Sequence, residues 1–432
     1  MVFAKPSFCC SLPPIPLKPS TQFNYASALC LIPLILGLGV YPLLGLGLAL
    51  SAFTITNLGF EPFWQNKRRL WNWPGFWIFA GLLIVFACCY RGFYIPYHPE
   101  ILKMPWGYFS VLFTLSALTI FWVSCLSKNS DLINFIWYFS FGALLFCLFT
   151  IGITGLLAKP PFYGRVIDIR YLITGSTQYI NTPGIANLLC LFPIVFISGL
   201  ILNSNLRPRW FWPIGVIGLI LSLISALAIG QRSYFVVCFL MAPVIVSIFL
   251  LLIRAWRPSL ILITLLAIYP SLLLIDKLLG IQLLHRPVNR NLLSDARFEM
   301  FQFWTNHLFA NPFQRIEVGP PPWDSLQWFH NFFADIHRLS GFWALLAAVI
   351  LVAYIFYRVL CVISKEQRIG LFLMAVAIPN FLIMNTSVVP EGERQPFLLL
   401  LAIGAISEVI LANLKHASST KPNNDLINSN PK

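Results

Sequence analysis

Apolar runs recur along most of this chain, each closed by a short polar or basic interval. A helix needs on the order of 20 apolar residues to cross a bilayer core. The pattern therefore predicts spans near 26–40, 42–57, 74–92, 105–126, 132–157, 183–203, 211–229, 233–253, 258–279, 340–361, 368–386 and 396–414. The first two are short and meet across Gly39 to Gly45, so one broken helix also fits them. The expected fold class is an all-α polytopic membrane protein with about twelve transmembrane helices. One interval breaks the rhythm: residues 280–339 form a long polar loop rich in tryptophan, phenylalanine and arginine. The expected organisation is a cytoplasmic tail over 1–24, one membrane domain over 25–414, and a disordered cytoplasmic tail over 415–432. No cleavable signal is apparent at the N-terminus, because the first apolar run is too long for one.

Composition supports this picture. Hydrophobic residues make up 58% of the chain and charged residues only 10%, where a soluble domain carries roughly a quarter charged. The net charge of +14 does not point to nucleic acid, since the basic residues lie between apolar runs, as in cytoplasmic loops. On one side fall Lys67, Arg68, Arg69, Lys128, Arg207, Arg209, Arg254, Arg257, Arg358, Lys365 and Arg368. The positive-inside rule makes that side cytoplasmic and brings both tails with it. The other side, periplasmic in a bacterium, holds 91–104, 158–182, the turn at Gly230 to Ser233, 280–339 and 387–395. Of the ten cysteines, Cys88, Cys89, Cys125, Cys147, Cys190 and Cys238 lie inside apolar runs. They read as buried small hydrophobes rather than a disulfide framework.

The outer side nonetheless carries Arg165, Arg170, Arg232, Arg286, Arg290, Arg297, Arg315, Arg338 and Arg394. Guanidinium groups match phosphate oxygens and stay charged, but most of the nine read better as solvated surface residues of long loops, which escape the charge rule. Arg232 stands in a very short turn between two apolar runs, where it is either a snorkelling anchor or an anion site. Arg297 falls in the first turn of a predicted helix that ends before Asn311-Pro312. It either pairs with Glu299, Asp295 or solvent, or shares an anion with the free N–H groups of that helix end. His330 sits among Trp328, Phe329, Phe332 and Phe333, with Asn331, Asp335 and His337 close enough in sequence to orient it. It is a structural histidine or a group that moves a proton near neutral pH. His330, Asp335 and His337 lack metalloprotease-like spacing, and no metal is expected.

His330-Asn331, nine residues, then Gly341, leading into an apolar run, resembles the signature of the O-antigen ligase and O-antigen polymerase superfamily. The segment with Arg297, Trp304, Asn311-Pro312-Phe313 and Gly319 is similar to that family as well. So are the Gly230-Gln231-Arg232 turn and the run Asn181 to Asn187. The likeness covers roughly 140–400. One departure is Ala344, where members usually carry another small or aromatic residue, often glycine.

The resemblance implies a metal-independent glycosyltransferase of the bacterial inner membrane, without cofactor, whose active site faces the periplasm. Its donor would be a glycan on undecaprenyl pyrophosphate. Its acceptor would be a sugar of lipid A–core for a ligase, another lipid-linked repeat for a polymerase, or a protein hydroxyl in a third branch. Its partners are membrane lipids and these glycans, not nucleic acid. His330, Arg297 and Arg232 become the expected catalytic residues. Arg232, Arg297 and Arg170 become the pyrophosphate ligands, with Asn331 and Gly341 in support. The single dominant loop favours ligase over polymerase. A transporter of lipid-linked glycan is the alternative from a different class. It should carry ionisable groups deep in its spans, and these spans read as nearly charge-free.

Overall fold

The computed structural model describes residues 30–39, 70–93, 105–157, 165–169, 179–255, 266, 271, 296–314, 316, 329, 331–386 and 394–419, with backbone only at 105–112, 232, 296–298 and 418–419. Beyond a helical segment at 30–38, the helices are α1 (Pro74–Gly92), α2 (Pro105–Ser124), α3 (Asn129–Leu157), α4 (Thr182–Ser198), α5 (Phe211–Ile229), α6 (Ser233–Leu252), α7 (Ala296–Ala310), α8 (Phe332–Ile363), α9 (Gln367–Thr386) and α10 (Gln395–Ser419). Eight helices among the described residues are long and apolar enough to cross a membrane. The chain is thus an all-α polytopic membrane protein in its main architecture. The predicted spans 42–57 and 258–279 lie almost wholly outside the described residues.

The sequence pattern predicts an outer-side loop over 158–182. The structure places there a short antiparallel ribbon, β1 (Arg165–Ile167) with β2 (Tyr179–Asn181), in the register Arg165–Asn181, Val166–Ile180 and Ile167–Tyr179. The Ile167 N–H donates to Thr154 Oγ1 at 3.0 Å, which ties the ribbon to the end of α3. Asn181 then leads directly into α4, whose first turn holds a proline. Proline is tolerated there because that N–H has no helical partner.

The core sits around α4 and α10. The apolar stretch of α4 is buried at every position, since α3, α5, α6 and α9 surround it. A helix hydrophobic all round must find such a place. Trp137 of α3 fills one side, edge-on to Phe192 of α4 and Phe211 of α5. The outward faces of α5, α6 and α8 carry exposed Ile217, Ile220, Ile224, Ile248, Leu252, Val349, Ile350 and Leu360. These apolar flanks suit lipid, which lets helices show hydrocarbon outward while their backbone bonds close internally. The segment 30–38 packs backbone to backbone on α3: a Cβ at Gly142 would clash with the Leu34 carbonyl oxygen. Small residues at such crossings allow helices to approach closely.

The spans are not charge-free. Glu408 of α10 is fully buried. Arg358 of α8 donates to it from Nε at 2.6 Å and from an Nη at 2.9 Å. Trp73 Nε1 donates at 2.6 Å and the Tyr354 hydroxyl at 3.0 Å. The charge pattern places Arg358 among the basic residues of the cytoplasmic side. It is half of an ion pair that pins α8, α10 and the start of α1 together. The carboxylate's oxygens are saturated with donors, which is the condition under which a buried charge is tolerated.

Candidate functional site

Several helix ends meet at one end of the bundle. Gln231 Nε2 donates to Thr182 Oγ1 at 2.7 Å, joining the α5–α6 turn to the start of α4. Asn331 Nδ2 donates to the Asn385 carbonyl at 2.9 Å, joining the start of α8 to the end of α9. Phe332 lies against Phe397, ring centroids 5.1 Å apart, which adds the start of α10. The far end of α4 lies beside α9, and burial, with Arg368 at the start of α9 adding to it, lowers the Arg207 pKa. Thr182 and Asn385 therefore lie at the same end. Most of the described cations outside this cluster, including Lys128, Arg207, Arg254, Lys365, Arg368 and Lys415, belong to the opposite helix ends.

The motif residues lie at this junction. Asn331 caps α8: its side-chain oxygen accepts the N–H groups of Phe333 and Ala334, each at 3.0 Å. Its extended backbone, φ −138 and ψ 123, is what a cap requires. Asp335, one turn later and fully buried, reaches back. One carboxylate oxygen accepts the Phe329 N–H at 2.8 Å and the other the Asn331 N–H at 3.3 Å. These bonds fall on either side of position 330. His330 itself lies outside the described residues, but the chain on both sides of it is fixed.

Gly341 explains the nine-residue spacing. Its φ of 75 and ψ of −174 are non-helical and split α8. That region of backbone space is essentially restricted to glycine. The motif therefore consists of a capped helical segment of nine residues, 332–340, then a break, then an apolar helix to Ile363. The predicted span start near 340 coincides with this break. Ala344, the departure from the family pattern, is fully buried within the second segment.

Helix α7 rests on the same segment. Phe303 stacks on Phe329, rings 17° from parallel and 6.4 Å apart. Trp304 Nε1 donates to His337 Nδ1 at 3.2 Å, and His337 Nε2 meets the Pro312 carbonyl at 2.9 Å. An N–H donor aimed at Nδ1 requires a lone pair there, so the imidazole is neutral with its proton on Nε2. Phe313 closes against Phe342 at 4.8 Å. Its closeness in sequence makes His337 a candidate to orient His330. The structure turns it the other way, as a buried clamp for α7.

The arginines divide. Arg297 is the second residue of α7, on the helix that touches Phe329. Arg232 opens the helix after the Gly230 turn, against the start of α4. Their side chains, and the whole of Arg170, lie outside what is described. Of the nine outer-side arginines, which read mostly as solvated surface residues, Arg394 is buried and the Arg338 side chain is only 8% exposed, its Nε 3.8 Å from Asp335. Arg394 immediately precedes α10, one turn before Phe397, and burial draws its pKa down to about 10. Its place beside the motif was not legible, because nothing local in the sequence links 394 to 332. Among the described residues no three His, Cys, Asp or Glu side chains gather as a metal site. Asp335 and His337 are both committed to groups of the protein itself. No protein-family model matches the chain, and no curated protein matches it.

Proposed function

We propose that this chain is a metal-independent membrane glycosyltransferase of the O-antigen ligase type. It moves a glycan from undecaprenyl pyrophosphate to an acceptor hydroxyl, such as a lipid A–core sugar, at the outer face of a bacterial inner membrane. The observation that carries the reading is the bracket around position 330. Asn331 and Asp335 hold the chain immediately before and after it, and Gly341 separates that short helix from the following span. A histidine held at a capped helix start suits a general base, which must keep a fixed place relative to the hydroxyl it deprotonates.

In this reading His330 accepts the proton of the acceptor hydroxyl as that oxygen attacks the anomeric carbon. The glycan–phosphate bond breaks and the electron pair leaves with the lipid pyrophosphate. Arg297 and Arg232 balance the growing negative charge, with Arg170 in support. Stabilising charge where it develops is the largest single aid such a reaction needs. The orientation follows from the charge rule, which puts the end bearing Arg207, Arg254 and Lys365 in the cytoplasm. A polymerase would share this chemistry with a different acceptor.

A transporter of lipid-linked glycan is the second reading, favoured by the Arg358–Glu408 pair inside the spans. Every oxygen of that carboxylate has a donor, however, which suits a structural tie better than a moving coupling site. Transfer of labelled glycan from undecaprenyl pyrophosphate to acceptor in sealed vesicles holding only this protein separates the two. Formation of acceptor-linked product supports the enzyme. Movement of donor across the vesicle without product supports the transporter. A reporter fused after Pro321 should give an outside signal, and an inside signal there would sink the mechanism.

A further inference from the structure

The groove between the start of α1 and the end of α2 has no part in the proposed reaction. It measures about 330 Å³ and is walled by Trp71, Trp77, Ala80, Ile84, Ala117 and Phe121, with Ser124 at its edge. Trp71 and Trp77 stand edge to face, 4.7 Å apart, and Trp77 Nε1 donates to the Trp71 carbonyl at 2.8 Å. Tryptophans whose polar N–H is satisfied while their rings stay exposed are typical of the boundary between headgroups and hydrocarbon.

Two lysines lie near this end of the groove. Lys415 Nζ lies 5.4 Å from the ring of Trp73, two residues from Trp71. Lys128 is exposed and follows Ser124 by four residues. Asn413 Nδ2 donates to the Ser127 carbonyl at 2.9 Å, which sets the Lys128 turn beside the last turns of α10. Arg358 adds no net charge, being paired with Glu408. Asp131 is the nearest acid in sequence to Lys128.

An apolar slot with an ammonium rim has the chemistry of one lipid class. We propose that this groove binds an acyl chain of an anionic phospholipid, with Lys128 and Lys415 holding its phosphate. The site lies at the end of the bundle opposite the His330 motif and is independent of the catalytic reading. Its role is to fix α1 against α2 in the leaflet that carries the headgroup.

The test is native mass spectrometry of the full chain, titrated with phosphatidylglycerol and with phosphatidylcholine of identical acyl chains. Two lysines near one phosphate should favour phosphatidylglycerol by roughly tenfold or more. Lys128→Glu together with Lys415→Glu should abolish that preference; both residues are exposed, and an unchanged unfolding temperature checks that losing the Lys415–Trp73 contact leaves the fold intact. Ala117→Trp, pointing from an exposed position into the groove, should lower binding of both lipids. Equal binding of the two lipids by the unaltered protein would overturn the proposal. So would a preference that survives the double charge reversal. Undiminished binding in Ala117→Trp would remove the groove as the acyl site.

Discussion

Asp335 reaches back across the first turn of α8 to accept the backbone N–H of Asn331, the residue whose own side chain caps that turn. The amide oxygen of Asn331 satisfies two N–H groups ahead of it, while the carboxylate of Asp335 takes the N–H of Asn331 and, two residues earlier, that of Phe329. The result is a rigid chain on both sides of residue 330, made by two side chains that need not touch a substrate.

Removing either side chain should therefore loosen the site in a graded way. Asn331→Ala deletes a cap and should cost about 1 kcal/mol. Asp335→Ala leaves two buried N–H groups without acceptors, at about 1–3 kcal/mol each. Asp335→Asn keeps one acceptor oxygen and should fall between the unaltered protein and Asp335→Ala. Thermal unfolding in detergent gives the order directly. An Asp335→Ala protein as stable as the original would show that the bracket does not hold the segment.

Gly341 should not accept a side chain. An L-residue at φ 75 and ψ −174 carries backbone strain on the order of 1–3 kcal/mol. Gly341→Ala either bears that strain or straightens the helix and displaces residues 332–340. Transfer activity should then fall much further than stability, because the cap and the bracket move together. Ala344→Gly, within the regular second segment, is the control and should leave the break in place. Full transfer activity in Gly341→Ala would show that the break has no functional use.

The Arg358–Glu408 pair makes a stability prediction that does not depend on function. Breaking a buried pair from one side leaves an uncompensated charge, at a cost of about 3–5 kcal/mol. Arg358→Ala should thus unfold at clearly lower temperature, and Glu408→Gln less so, since the amide can still meet Trp73 and Tyr354. Arg358→Met with Glu408→Leu should recover most of the loss. If the double variant is no better than Arg358→Ala, the charge is not what makes the single change costly.

Much of the fold was legible because lipid imposes one rule on every span. The hydropathy pattern placed the start of α1 at Pro74 and the whole of α5 at Phe211–Ile229 as the structure has them. The helix ending at Ala310, before Asn311-Pro312, was legible too. The β ribbon was hidden, since two strands of three residues show no alternation long enough to read. Glu408 was hidden for another reason. A single acid in an apolar run does not announce a partner fifty residues away, still less a tryptophan 335 positions distant. At the site, the sequence marked position 330 and its glycine. It was silent on which neighbours face inward, so Asp335 and His337 looked alike.

The two histidines, His337 and His330, should respond to substitution in opposite ways. His337 is buried, receives the Trp304 N–H on Nδ1 and meets Pro312 through Nε2. Protonation would place a hydrogen on Nδ1 against the indole donor and break that contact. His337→Ala should therefore lower the unfolding temperature, and weaken transfer only as far as α7 loosens. Trp304→Phe, which removes the same indole donor, should reproduce part of that loss. His330 should behave in the opposite way. As the proton acceptor it should contribute roughly a hundred- to ten-thousand-fold to turnover, so His330→Ala should lose about that much with little change in unfolding temperature and with donor binding intact. The two variants are compared at matched protein levels by thermal unfolding and by labelled-glycan transfer in reconstituted membranes. If His330→Ala transfers glycan as fast as the unaltered protein, histidine has no part in the chemistry. The bracket formed by Asn331 and Asp335 would then have to be explained by packing alone.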